Sequence, residues 1–124
     1  MPLELGIFMG ARAFGGVKHE SKRGLVLDRE RFRYQKFCSD ISGQDVRGHG
    51  SSIDGAINAV RNWLRSTPDA TGIVFPGHSY IQRRYRSFKR QLPTQCDKSR
   101  LDYDDLHYKD YITLVVAWQK THPR

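Results

Sequence analysis

At 124 residues the chain has room for one domain, and 38% hydrophobic with 11% aromatic residues is enough to bury a core, which argues against intrinsic disorder. Its net charge of +8 favours an anionic partner without naming one, and no apolar run reaches the length of a membrane-spanning helix. Cys38 and Cys96 match no metal or redox spacing and read as reduced thiols of a cytoplasmic protein, and the histidines at 19, 49, 78, 107 and 122 have no ligand spacing, so no metal is expected.

Residues 2–13 predict a helix. Pro2 suits its first turn, and Gly15-Gly16 ends it. Leu3, Leu5, Ile7, Phe8 and Met9 make it apolar on nearly every side, the pattern of a buried helix. The run Gly24 to Asp28 reads as a buried parallel strand, and 32–42 as a helix closed by Gly43. Residues 44–50, "QDVRGHG", fit a short strand around Val46 or a glycine-rich loop. Residues 53–66 form the clearest helix, capped by Ser51 or Ser52, with Ile53, Ala56, Ile57, Val60, Trp63 and Leu64 on one face. Thr67-Pro68 stops it.

A linker over 69–78 leads to a basic helix, about 79–92, with Ile81, Tyr85, Phe88 and Leu92 as its apolar stripe and Pro93 as its end. A short helix is expected over 101–106, capped by Asp102, and a last one over 108–120 with Tyr111, Ile112, Val115, Val116 and Trp118 facing inward. One firm strand among so many helices cannot make a sheet alone, because a parallel strand needs parallel neighbours. The order predicts an α/β fold: part of a doubly wound, flavodoxin-like parallel sheet of few strands over 1–68, with a helical extension over 79–124.

Glu4 has two readings. It stabilises the N-terminus of its helix, worth about 0.3–1 kcal/mol. Alternatively it stands at the mouth of a cleft, where apolar neighbours would disfavour its ionised form and suit it to acid–base work or to stabilising a cation. Helix N-termini in open α/β sheets sit at the carboxyl ends of the strands, where ligands bind.

The ordered segments "MPLELGIFMGARAFGG", "KRGLVLDRERFRYQKFCSDISGQDVRGHG" and "AINAVRNWLR" resemble the C-terminal half of a bacterial TIR-like nucleotide-binding domain. In that family an E-L-G motif opens the third helix, and a strand ending in L-D, a helix, a short strand and a final helix follow. The likeness covers residues 2–66. It implies that Glu4 matches the catalytic glutamate of the TIR domains that cleave the nicotinamide–ribose bond of NAD. It also implies a nucleotide ligand, NAD as substrate rather than cofactor, self-association, and a first strand and helix lying before Met1. The chemistry is coherent, since nicotinamide leaves as a neutral group and a carboxylate can stabilise the oxocarbenium-like ribose.

Asp28 closes its strand, where it can contact ribose hydroxyls or cap the next helix. The loop "GQDVRGHG", read as following a helix, lacks Walker spacing; it makes an ordinary loop or a phosphate or ribose contact, with Gln44 and Asp45 as the binding candidates. The basic segment 79–93 carries five bases and no acid, interleaved with Tyr85 and Phe88. It reads as a seam pairing with Asp97, Asp102, Asp104, Asp105 and Asp110, or else as a nucleic-acid-binding helix.

Overall fold

The computed structural model describes residues 2–30, 33 and 45–123. It divides into two units, Met1–Phe75 and Pro76–Arg124.

In the first unit, helix α1 spans Pro2–Phe14, with Glu4 in its first turn and Arg12 in its last, so both charges oppose the helix dipole. The Gly15 amide donates to the Ala11 carbonyl at 2.8 Å, and Gly16 at φ +74° turns the chain into the single turn of α2, Val17–Glu20. Strand β1, Leu25–Asp28, pairs in parallel with β2, Asp45–Gly48, in the register Leu25↔Asp45 to Asp28↔Gly48. Helix α3, Ile53–Ser66, packs on both strands, and a 3-10 turn at Pro68–Ala70 follows. Ser52 is the cap of α3: its Oγ accepts from the Gly55 amide at 2.8 Å.

This is a mixed α/β unit with a two-stranded parallel sheet among the described residues. Except for Arg33, the helix expected over 32–42 lies outside the described residues, as does Gln44.

α1 is not the buried helix its composition suggests. Leu3 is 74% and Phe14 91% exposed, and Ile7 is also exposed. A helix is buried when other layers cover more than one of its sides, and two short strands offer too little surface for that. Its inward contact is Phe8, whose ring lies so close to Gly24, just before β1, that a Cβ there would stand 3.0 Å from it.

In the second unit, α4 spans His78–Ser99 and α5 Tyr108–Thr121. The core consists of Phe88, Leu92, Cys96, Leu114 and Trp118, with Leu101, Leu106, Tyr111 and Val115 packed around it. Phe88 meets the rings of Tyr111 and Trp118 edge-on at 5.6 and 5.7 Å. Trp118 donates its indole N–H to Gln91 Oε1 at 3.0 Å, and His122 stacks on it at 4.5 Å.

Pro93 does not end α4 but lies inside it. An interior proline costs about 3 kcal/mol, because it lacks the N–H and crowds the carbonyl four residues back. Its flanking residues supply the compensation: Leu92 is 1% and Cys96 0% exposed, and burying such side chains is worth about 1.5–3 kcal/mol each. Pro93 itself faces solvent, where water can satisfy the carbonyl it leaves.

α4 ends at Arg100, in left-handed conformation at φ +56°. The Arg100 amide donates to the Asp97 carbonyl at 3.2 Å and the Leu101 amide to Cys96 at 2.9 Å, a Schellman closure whose apolar contact is Leu101 on the core. The helix expected over 101–106 is absent. Asp102 instead accepts from the Asp104 amide at 3.1 Å, and this Asx turn competes with helix formation.

The inward face of α5 also differs from expectation. Tyr111, Leu114, Val115 and Trp118 point to α4, while Ile112 and Val116 are exposed. The spacing of 111, 114, 115 and 118 follows one helical face, and Ile112 and Val116 fall on its flank.

Candidate functional site

The parallel register brings Asp28 beside Gly48 at the carboxyl end of the sheet. The chain after β2 remains tied to the chain after β1. The His49 amide donates to the Asp28 carbonyl and the Gly50 amide to Arg29, both at 2.9 Å. Gly50 at φ +58° and Ser51 at φ +55° then turn the backbone into α3. Ser51 lacks the freedom of glycine, so its left-handed conformation costs energy that the Ser52 cap and the ladder must offset. Of the two readings of this segment, the short strand around Val46 forms, and Gly48–Ser52 after it make a strand-to-helix turn.

Asp28 is partly buried. Its Oδ1 accepts from the Arg29 amide at 2.6 Å, and Arg33 Nη1 stands 3.8 Å away. Two charge-compatible neighbours leave the carboxylate with acceptor capacity, since each oxygen has two lone pairs. Asp54, in the first turn of α3, already supplies the negative charge that a helix N-terminus favours. The Asp28 carboxylate suits a hydroxyl donor better than an anion.

Asp45 lies at the other end of the same strand pair, opposite Leu25, about 10 Å from Asp28 at strand rise. It accepts from the Trp63 indole N–H at 2.9 Å, a contact that ties α3 to the start of β2. The structure thus brings Asp28 to the Gly48–Ser52 turn and separates Asp45 from it. The Trp63–Asp45 bond joins residues 18 apart, and no local pattern in the sequence marks it.

Glu4 is exposed in the first turn of α1. Its pKa is lowered, first by a hydrogen bond from the amino terminus and then by its own backbone amide. This corrects the expectation that apolar neighbours disfavour its charge. Leu3 and Ile7 are themselves in water, so they do not desolvate it.

In the second unit the basic helix sorts its charges. Arg84 lies 4.8 Å over the Trp118 ring and donates to the carbonyls of His122 and Pro123, the latter at 3.1 Å. Lys89 donates to the Tyr103 hydroxyl at 3.4 Å and lies 5.4 Å over that ring. These two bases meet carbonyls and rings, not the aspartates of the expected seam.

Among the described residues no three metal-ligating side chains converge, and no helix is long and apolar enough to cross a membrane. Comparison of the chain with protein-family models, with known proteins and with solved structures finds no match.

Proposed function

We propose that residues 2–66 form a TIR-like, partial doubly wound nucleotide-binding unit that holds a nucleotide by its ribose hydroxyls at the carboxyl edge of β1 and β2. The observation that carries this reading is the parallel register, which sets Asp28 beside the Gly48–Ser52 turn at the start of α3. NAD is the proposed nucleotide. Glu4 is the proposed carboxylate that stabilises the oxocarbenium-like ribose while nicotinamide leaves. Glu4 is exposed in the first turn of α1, where it can carry the charge that stabilising a cation requires. Exposed Leu3 and Ile7 support self-association as part of the same reading.

The test is incubation with NAD, with binding followed by ligand-observed NMR and nicotinamide by chromatography. NAD should bind, and Asp28→Asn should weaken binding at least several-fold. Glu4→Gln should abolish nicotinamide release while leaving binding intact. Binding indifferent to Asp28→Asn would remove the site; release equally fast in Glu4→Gln would remove the catalytic assignment alone.

A further inference from the structure

The basic segment of α4 divides into two sets by position. Arg84 and Lys89 turn toward Trp118 and Tyr103 within the unit. Arg83, Arg86 and Arg90 are all exposed, Arg83 lying 5.9 Å over the Tyr80 ring of the same helix, and their spacing of three and four residues sets them on one face. That face is opposite Phe88, Leu92 and Cys96, which are buried. Residues 79–93 contain no acid, and the first carboxylate further along the same face is Asp97. Three guanidinium groups thus stand in a row about 10 Å long on a rigid helix.

We propose that this arginine face of α4 binds the phosphate backbone of a nucleic-acid duplex. Arginine presents a planar fork that matches phosphate oxygens in pairs, and a row held on a helix meets phosphates held at fixed spacing without further ordering. A duplex carries about one phosphate per 1.7 Å of axis, so the row faces several at once.

Two other anionic partners fit less well. Single strands are held by exposed aromatic rings on which bases stack. The aromatics that interleave with the arginines in sequence are withdrawn here: Phe88 is 4% exposed and Tyr85 is partly buried. A membrane surface takes up a helix through a free apolar face. The apolar face of α4 is already consumed by α5. The proposal is independent of the nucleotide reading, since it concerns only the second unit.

The experiment is fluorescence anisotropy of the full chain with a labelled 20-base-pair DNA duplex, in parallel with a single strand of the same length. Vesicles containing phosphatidylserine form a third arm. Three phosphate contacts predict duplex binding that weakens about 40-fold between 50 and 200 mM salt. The variant Arg83→Gln/Arg86→Gln/Arg90→Gln, with an unchanged thermal melt, should lose that dependence. Lys18→Gln/Lys22→Gln, which removes charge from the other unit, should retain it. No duplex binding at 50 mM salt overturns the proposal. So does binding unchanged in the triple arginine variant, or a preference for the single strand or for the vesicles.

Discussion

The two units reach order by different means. Pro76–Arg124 has a core of large side chains from two long helices, centred on Phe88, Leu92 and Trp118. Met1–Phe75 has the more regular pattern of strands and helices, yet none of its described residues is fully buried. Its shape rests on the β1–β2 ladder, the Ser52 cap, the Trp63–Asp45 hydrogen bond and half-covered apolar contacts. Regular secondary structure and a closed core are therefore separate achievements. The first needs local pattern, and the second needs enough converging area to offset chain entropy.

The sharpest way to break the comparison is Trp118→Ala. It removes the ring that Phe88, Arg84, Gln91 and His122 all contact, so a loss of about 3–5 kcal/mol is expected. Urea titration with hydrogen exchange should show protection lost in α4 and α5 but not in α3. Exposed apolar residues of α1 should behave oppositely. At a concentration low enough to keep the chain monomeric, Leu3→Ala and Ile7→Ala should each change stability by less than about 0.5 kcal/mol, and any larger loss should appear only as concentration rises and copies associate. A larger loss in the monomer would mean that α1 is covered in solution.

Smaller effects sharpen the contrast. Ser52→Ala should cost about 1 kcal/mol, read as faster exchange in the first turns of α3. Arg100→Gly should raise the melting temperature of the second unit, since relieving left-handed strain is worth about 1 kcal/mol.

The smallest expected effect is alkaline. Lys89 has its pKa raised above 10.5, chiefly by the Tyr103 hydroxyl, and Tyr111 is raised above 10.0 by burial. Both groups bind protons more tightly when folded than when unfolded. Their contributions are whole below these ordinary values and are lost as pH rises through the higher folded ones. Melting temperature should fall from pH 9.5 to 11.5, and Tyr111→Phe should fall less.

The sequence was readable wherever the signal is local. The helix at Ile53–Ser66 follows from an apolar spacing, a serine cap and Thr67-Pro68, all within a turn of where they act. β1 is a short apolar run bounded by a glycine and an acid. The candidate site was half legible. Asp28 is visible as a strand's last residue, whereas its separation from Asp45 depends on a register set by pairing between distant segments.

By itself, then, the sequence determined the positions of α1, α3 and α5 and the parallel character of its strands, since periodicity and capping act over a few residues, while it missed α2 and expected a helix over 101–106 that does not form. It misjudged α1, Pro93 and the flank of α5, because each depends on which surface finds a partner. Only tertiary structure decided that Pro93 stays helical, held between buried Leu92 and Cys96. It likewise decided which arginines face water, since Trp118 lies 34 positions beyond Arg84 in the chain and no pattern within a single helix announces it.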